Sequence, residues 1–447
     1  MIKFSEGVKY FADPTASSFD QRLSFRLQQA GIKNPNLLLT NQDRRLQYDK
    51  LIGMTGNTPI TRHENPNGTI LMKRLSQNPS ECHYDLVYLN TLRFLEEQGI
   101  IWPTNKNEEH NGQNVELVEL TSGSAGISFG FATKMLGFQG TLFVPEEIPD
   151  ARVDPMKSFG LDIVRTPPGY VKVASEKLGA YFEQLKADGY KSVKFDRQGN
   201  RSLVYEKDKH RVCFINHSEN QITIDAFKTV GQEIADFLPE GVRPGALLTI
   251  IGNFTSSTGI SSILKNRYPD IQLVGLESVE NPNWFDQRYP GEFEKRFGRP
   301  PTFNSTRIYG TSQRGVPLYF GYPKIFNDIQ LLEPEDVIIA WQKEYNEGKP
   351  WVETIGRSTA ASLMMAERYT KKHPGSIVVV LNYDKADRYE EQVIEHVPAM
   401  NFNDALARNR FDPGTIQPIG WKQSVPRSPI NIPISLKGSY SSYPLAV

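Results

Sequence analysis

Short apolar segments alternate with amphipathic helical segments along most of this 447-residue chain, and this alternation constrains the fold most. Up to residue 166, strands are expected at 68–75, 115–120, 140–144 and 161–165, and helices at 85–98, 125–136 and 154–159. After residue 211, helices are expected at 225–238, 259–268 and 360–372, and strands at 246–251, 272–277 and 376–381. Strands that alternate with helices form βαβ units and parallel sheets. The sequence therefore predicts an α/β fold.

Changes in composition along the chain predict four regions. Residues 1–48 are polar and rich in Gln and Asn, so we expect an N-terminal extension there. Two α/β domains are expected at 49–200 and 201–400, because a polar, charge-rich segment separates the two alternating stretches. Residues 401–447 are rich in Pro, Ser and Asn, and we expect an extended tail on the body or on a partner subunit.

The charge balance and the cysteine count narrow the classes of function. The 51 basic and 51 acidic side chains give zero formal net charge, which argues against a nucleic-acid partner. No apolar run is long enough to span a membrane, and no secretory signal is visible. With only Cys82 and Cys213, a disulfide scaffold is excluded and a cytoplasmic location is expected. The seven histidines show no metal-ligand spacing, so no metal site is expected.

The first candidate site is a turn of small residues between a predicted strand and a predicted helix. It consists of Thr121, Ser122, Gly123, Ser124, Ala125 and Gly126. Backbone N–H groups and the positive end of a helix dipole favour an anion at such a turn. The ligand would be a carboxylate or a phosphate. The alternative is a plain tight turn, for which glycine is sufficient.

A second turn at a strand-to-helix junction contains Gly252, Asn253, Phe254, Thr255 and Ser256. Its hydroxyl groups and the helix start also suit an anion. The bulky Phe254 hinders close approach of a ligand to the backbone, however, because the loop has no interior glycine. An ordinary capped turn is therefore the favoured interpretation.

Four reactive side chains, Cys82, His83, Tyr84 and Asp85, precede the predicted helix 85–98. A thiol beside a histidine near a helix N-terminus is one arrangement of an activated nucleophile. Neighbours in sequence do not generally meet in space, and Asp85 is equally suited to cap the helix. Both interpretations stay open.

Further segments flank these turns: Thr55-Gly-Asn-Thr-Pro59, Val144-Pro-Glu146, Leu273-Val-Gly-Leu-Glu277 and Asp384-Lys-Ala-Asp-Arg-Tyr389. Taken in order with the turns, they resemble the fold-type-II pyridoxal-phosphate enzymes, the family of cysteine synthase, cystathionine β-synthase and tryptophan synthase β. The resemblance covers residues 55–389. It implies the tryptophan synthase β-like fold, with two three-layer αβα domains, mostly parallel sheets and a cleft between them.

The resemblance also implies roles from which this chain departs. The Schiff-base lysine of the family aligns with Tyr84, and a phenol cannot form an imine. Ser124 stands where the family has an asparagine that touches the cofactor ring, and Lys385 where a hydroxyl faces the pyridine nitrogen. Phe254 and Thr255 replace glycines of the phosphate loop. The sequence thus predicts that covalent pyridoxal phosphate has been lost.

The two glycines of the turn that resembles the family's carboxylate-binding loop, Gly123 and Gly126, are retained. We therefore expect the cleft to take a small carboxylate-containing, amino-acid-like ligand, and we expect the protein to be a homodimer. Non-covalent binding of pyridoxal phosphate stays compatible with this view. Tyr84 and Lys385 replace groups on opposite sides of the family's cofactor, so both are expected to point into the cleft.

Three functions remain open at this point. In the first, the chain is a repurposed, cofactor-independent lyase or transferase in which Cys82, His83, Tyr84 and Lys385 supply acid, base or nucleophile. In the second, it is a non-catalytic homologue that senses a small molecule or binds a partner enzyme. In the third, it is a working pyridoxal-phosphate enzyme with a relocated lysine, Lys385 or, less favoured, Lys73.

Overall fold

A computed structural model describes ten stretches of the chain. They are residues 19–29, 32, 43–56, 58–121, 123–195, 199–303, 306–308, 310–311, 325–338 and 355–385. The predicted tail 401–447, most of the extension 1–48, and Ser122 lie outside these residues.

Helices and strands alternate over most of the described chain. The α-helices are α1 (Phe19–Gln29), α2 (Arg44–Thr55), α3 (Asp85–Glu97), α4 (Ser124–Leu136), α5 (Asp150–Ser158), α6 (Tyr170–Ala187), α7 (Gln221–Phe237), α8 (Thr255–Arg267), α9 (Asn283–Arg288), α10 (Glu292–Phe297) and α11 (Arg357–Lys372). The strands are β1 (Ile60–Asn65), β2 (Gly68–Lys73), β3 (Asn114–Leu120), β4 (Gln139–Pro145), β5 (Asp162–Thr166), β6 (Lys191–Ser192), β7 (Leu203–Lys207), β8 (His210–Phe214), β9 (Ala246–Ile250), β10 (Gln272–Ser278), β11 (Asp328–Leu332) and β12 (Ser376–Leu381).

The strands form two six-stranded sheets. The first has the order β1–β2–β12–β9–β10–β11, in which only the β1–β2 hairpin is antiparallel. The second has the order β5–β4–β3–β8–β7–β6, in which the β6–β7 and β7–β8 pairs are antiparallel and the other pairs are parallel. The predicted α/β class and the mostly parallel sheets are confirmed.

The sheets divide the chain differently from the boundary expected at residue 200. The hairpin β1–β2 belongs to the first sheet, where β2 pairs with β12 from Gly68↔Ser376 to Leu381↔Lys73. Strands β7 and β8 follow residue 200 but complete the second sheet. The segments 49–200 and 201–400 therefore each contribute strands to both sheets, because strand partners are set by tertiary packing and not by nearness in sequence.

The N-terminal extension contributes helix α1, which packs on the body of the protein. Leu23 and Leu27 lie four residues apart on one face of α1 and are buried in the main core. Helix α3 ends at Glu97 with Gln98 as its C-cap, and Gly99 follows with φ +66, the left-handed conformation that favours glycine after a helix. Among the described residues, no helix is long and apolar enough to cross a membrane.

Candidate active site

A cavity of about 400 Å³ lies where the carboxyl ends of strands from both sheets meet. Its wall includes residues that end or follow four strands: Leu120 on β3, Phe214 on β8, Gly252 after β9 and Asp384 after β12. In open parallel sheets, ligands bind beyond the carboxyl ends of the strands. The cavity therefore lies where the fold favours a binding site.

The turn predicted to bind an anion forms one end of this cavity. Thr121 Oγ1 accepts hydrogen bonds from the backbone N–H groups of Gly123 and Gly126, both at 3.0 Å, and this fixes the turn before α4. Thr121, Gly123, Ser124 and Ala125 line the cavity. Gly123 has φ +152, and a Cβ atom there would stand 2.4 Å from Nη1 of Arg152. Glycine is thus required here by both the backbone conformation and the space.

Arg152 brings a buried positive charge to the start of α4. Its Nη2 donates to Oδ2 of Asp384 at 3.2 Å, and Ser124 Oγ donates to the same oxygen at 3.0 Å. Arg152 and Asp384 are each 4% exposed. A guanidinium beside a helix N-terminus strengthens the attraction for an anion. Neither the role of Arg152 nor the entry of Asp384 into the cavity was predicted from the sequence.

Tyr84 lies immediately before α3 and faces the cavity. Its ring centroid lies 3.9 Å from that of His83 and 5.2 Å from that of His217. The Asn253 side chain at the second turn lies within hydrogen-bonding reach of the phenol. Burial raises the pKa of Tyr84 above its ordinary value, Cys82 and Glu119 act in the same direction, and Asn253 opposes them. The phenol is therefore protonated at neutral pH and is a proton donor.

His83 also lines the cavity, but it is a neutral imidazole at physiological pH. Burial lowers its pKa to about 3, nearby His217 acts in the same direction, and the backbone carbonyl of Tyr383 opposes them. Nδ1 of His83 lies 3.4 Å from that carbonyl oxygen. A histidine in this state is a poor general acid at neutral pH.

A carboxylate and an imidazole that the sequence analysis missed lie beside Tyr84. Oε2 of Glu119 lies 3.1 Å from Nδ1 of His217 and accepts from the His217 backbone N–H at 3.1 Å and from the Tyr88 hydroxyl at 3.3 Å. Glu119 is 1% exposed. The available signal was one acidic residue near the end of the apolar segment 115–120. Nε2, the other ring nitrogen of His217, lies 3.3 Å from the Ser218 hydroxyl, so the imidazole is held between Glu119 and Ser218.

Cys82 and Lys385 do not line the cavity, although both were expected to act in it. Cys82 is 1% exposed, and its Sγ lies 2.9 Å from Ser128 Oγ, beneath α4. Lys385 was expected to face Tyr84 across the cleft, but its Nζ lies 2.5 Å from Oε1 of the buried Glu81. Burial lowers the pKa of Lys385 to about 8, and Glu81 opposes the shift.

The other candidate lysine, Lys73, is likewise held away from the cavity. It is 1% exposed, donates to the backbone carbonyl of Thr58 at 2.5 Å, and forms an ion pair with Glu233 on α7. Burial lowers its pKa, which Glu233 opposes. Neither candidate lysine has its ammonium group in the cavity.

The second turn has the geometry of a capped helix start. Asn253 Oδ1 accepts from the backbone N–H of Thr255 at 3.2 Å and from its hydroxyl at 2.7 Å. Phe254 has φ +65, is 1% exposed, and packs its ring against Trp284 at a centroid distance of 5.2 Å. Gly252, Asn253 and Ser256 line the cavity. The first amide donor of α8 is thus used by Asn253, one residue before the N-cap Phe254, which itself makes no side-chain cap hydrogen bond.

Comparison with known proteins shows which family the chain resembles. Residues 52–384 match the family described as pyridoxal-phosphate dependent enzyme. The chain belongs to this family. The probable cysteine synthase of Bacillus subtilis is 24% identical over 348 residues, covering 76% of this chain and 94% of that protein. Cysteine synthase B of Pseudomonas aeruginosa is 23% identical over 351 residues, covering 77% of this chain and 96% of that protein.

Solved structures of family members share the fold. A hydrogen sulfide-producing enzyme from Fusobacterium nucleatum has a TM-score of 0.58 at 21% identity and covers 76% of this chain and 98% of its own. An O-ureido-L-serine synthase has a TM-score of 0.59 at 19% identity and covers 80% of this chain and 98% of its own. The expected tryptophan synthase β-like fold is thus confirmed.

The described residues do not fit the family's cofactor in its covalent form. An imine needs a lysine, and the cavity-lining residues of the described chain include none. A phosphate at the second turn would need backbone N–H donors. One of these donors, the Thr255 amide, already donates to the Asn253 side chain. The described residues also contain no group of three His, Cys, Asp or Glu side chains that could hold a metal ion.

Proposed function

We propose that this chain binds a small, amino-acid-like carboxylate in the cavity and acts on it without covalent pyridoxal phosphate. The observation that carries the proposal is the placement of Tyr84. Its phenol extends from the start of α3 to Asn253 at the start of α8, and the described cavity wall offers no lysine for an imine. The family fold and its cavity are then retained for a different chemistry.

The anchor for the ligand is the start of α4. The hydroxyl of Ser124, the guanidinium of Arg152 and the N-terminal dipole of α4 all favour a carboxylate at this point. Asp384 accepts hydrogen bonds from both side chains, so a ligand carboxylate competes with it for these donors. A ligand ammonium group, as in an amino acid, is compatible with the carboxylates of Glu119 and Glu219 in the same wall.

The acid and base of the proposed reaction are Tyr84 and His217. With Nδ1 of His217 facing Glu119, Nε2 is the nitrogen that accepts a proton from the ligand, in place of its 3.3 Å contact with the Ser218 hydroxyl. Burial raises the pKa of Tyr84, so its phenol is protonated at neutral pH and can protonate a leaving group that is more basic than the phenolate. This assignment replaces Cys82 and Lys385, whose side chains lie outside the cavity wall. Removal of a ligand proton by His217 and protonation of the leaving group by Tyr84 together give an elimination, the reaction type of a lyase.

The family membership supports a second candidate function. A match to pyridoxal-phosphate dependent enzymes over residues 52–384 favours an active enzyme with a relocated lysine. For Lys385 to serve, its ammonium group would have to leave Glu81 and reach the cavity. A non-catalytic role would instead give ligand binding without turnover.

Reduction with borohydride after incubation with pyridoxal phosphate separates the first two functions. We expect no pyridoxyl adduct on the wild-type chain, and an adduct at position 84 in the Tyr84→Lys variant, which restores the family's lysine. Mass analysis of peptides locates any adduct. An adduct on any wild-type lysine, absent from a Lys385→Met variant, would instead support the relocated lysine.

Ligand titration tests the carboxylate anchor separately. In calorimetry with L-serine, Arg152→Met should weaken binding by roughly tenfold or more, since it removes a charge-assisted donor. Arg93→Met is the matched control, because Arg93 pairs with Asp49 and Glu97 outside the cavity wall. Equal binding by the Arg152 variant and the control would place the carboxylate elsewhere.

A further inference from the structure

One part of the cavity wall is apolar and is used by none of the steps proposed above. It consists of Leu178 and Phe182 on α6, Leu203 on β7 and Phe214 on β8, which belong to one apolar cluster. The carboxylate anchor, the acid and the base all lie on other elements. The apolar part is therefore a second compartment of the same cavity.

This compartment has a packed wall. Leu203 and Phe214 are register partners in the β7–β8 hairpin, so their Cα positions are opposite each other. The Phe182 ring lies 5.6 Å from that of Phe214 and stacks on Tyr205 at 5.6 Å. Leu178, four residues before Phe182, lies on the same face of α6. Neighbouring rings thus hold Phe182 and Phe214 in place.

Apolar ligand atoms are more stable against an apolar wall of this kind than in water. A ligand as small as serine would reach the start of α4 and leave the side chains of α6 and β8 against water. Transfer of an apolar side chain from water to such a wall is favourable and scales with the area buried. Ligand pockets in general combine apolar walls with a few placed polar groups.

We propose that the ligand is an amino-acid-like carboxylate with an apolar or aromatic side chain, which lies against the apolar wall that α6 and the β7–β8 hairpin form together. The inference rests on the proposed function for its carboxylate anchor at Ser124 and Arg152. It adds the chemical class of the side chain, which that anchor does not define.

Gly179 provides a way to fill the compartment from its edge. This residue lines the cavity within α6, it is exposed, and a Cβ atom there would have no neighbour within 4 Å. Gly53 on α2 is its matched control, because it is also exposed, also lacks neighbours for a Cβ atom, and is not part of the cavity wall. Replacing either glycine by leucine favours the helix, so neither variant threatens the fold.

The test is calorimetric titration of the full chain with L-phenylalanine, L-leucine, L-serine and glycine. We expect the two apolar amino acids to bind the wild type at least about tenfold more tightly than the other two. Gly179→Leu should weaken phenylalanine binding by about tenfold and leave serine binding within about twofold, and Gly53→Leu should change neither. Leu203→Ser should lower the preference for phenylalanine without weakening serine.

The outcomes distinguish this inference from the proposed function. If serine binds as tightly as phenylalanine, and Arg152→Met abolishes the binding of both, the preference for an apolar side chain is wrong and the carboxylate anchor stands. A phenylalanine affinity unchanged by both Gly179→Leu and Leu203→Ser would also overturn it. Binding of none of the four amino acids would overturn the proposed function itself, and this inference with it.

Discussion

Asp384 Oδ2 accepts a hydrogen bond from Arg152 Nη2 at 3.2 Å across a sequence separation of 232 residues. Arg152 lies on α5, which packs beside α4, and Asp384 follows the last strand of the other sheet. The pair thus connects the two sheets at the end of the cavity where a carboxylate is proposed to bind. Asp384 is in this respect an internal competitor of the ligand.

Replacement of Asp384 should therefore strengthen carboxylate binding. Asp384→Asn removes a negative charge from the donors Ser124 and Arg152, and we expect L-serine to bind about tenfold more tightly, about 1.4 kcal/mol. Calorimetry measures this, with Asp154→Asn as the control, since Asp154 pairs with Lys157 at the surface. Weaker binding in Asp384→Asn would show that this carboxylate supports the site.

Replacing different members of the buried cluster around Glu81 should lower the free energy of unfolding by different amounts. Glu81 is fully buried and pairs with Arg22 at 2.6 Å, Arg26 at 3.2 Å and Lys385 at 2.5 Å. Glu81→Gln leaves three cations facing a neutral amide, and we expect a loss of about 3–5 kcal/mol in the free energy of unfolding.

Lys385→Met is the comparison within the same cluster. It leaves Glu81 with both arginines, so we expect a change within about 1 kcal/mol, since an apolar side chain replaces a desolvated charge. Urea unfolding of the two variants gives both values. A Lys385→Met loss as large as that of Glu81→Gln would mean that the lysine, and not the α1 arginines, balances Glu81.

The Tyr84→Phe variant tests whether Tyr84 acts as a general acid or only fills space in the cavity. The phenylalanine ring fills the same volume, so the free energy of unfolding should change by about 1 kcal/mol or less, and ligand binding should persist. Turnover of the ligand identified by titration should fall by about 10²–10⁴-fold, the usual worth of a general acid.

Tyr190→Phe is the matched control for this variant. Its hydroxyl contacts His210 on β8 and lies outside the cavity wall, so both binding and turnover should be unchanged. Turnover retained in Tyr84→Phe would remove Tyr84 from the mechanism and leave its ring as a filler of the cavity.

Asp85 should make the stability of the protein depend on pH. Burial raises its pKa to about 6, against an ordinary value of 3.8, although Ser128, Ser80 and Arg26 oppose the shift. Between about pH 4 and pH 6, Asp85 keeps its proton in the folded state but has lost it in the unfolded state. The stability that this proton gives the folded state is therefore complete below about pH 4 and is lost as the pH rises through 6.

The Asp85→Asn variant lacks this dependence. Relative to it, the wild type should lose on the order of 3 kcal/mol between pH 4 and pH 7, with little further change above. Denaturant unfolding of both proteins across this range gives the difference. A difference that is constant with pH would mean that Asp85 is not protonated in the folded protein near pH 5.

Local sequence determined much of the fold and one end of the site. Periodicity located α3, α4, α7, α8 and α11, because the face that a helix buries repeats along neighbouring residues. The turn that runs from Thr121 to Gly126 stands at the start of a helix on the cavity wall. Helices α9 and α10 were not predicted, because they are too short for a clear period.

The direction of each side chain was decided by tertiary structure. Asp384 and Lys385 are adjacent in the chain, yet Asp384 enters the cavity and Lys385 reaches Glu81. Likewise, His83 and Tyr84 line the cavity and Cys82 does not. Both segments contain bends or turns, where side chains follow no fixed alternation.

Residue pattern alone defined the family fold, the helix start that suits an anion, and the absence of a lysine at position 84. Only the pairing of β3 with β8 brought Glu119 to His217, a separation of 98 residues, and only the contact between elements of both halves of the fold brought Arg152 to Asp384. Such partners are invisible to local pattern, since they depend on which strand ends meet and on which face each side chain occupies.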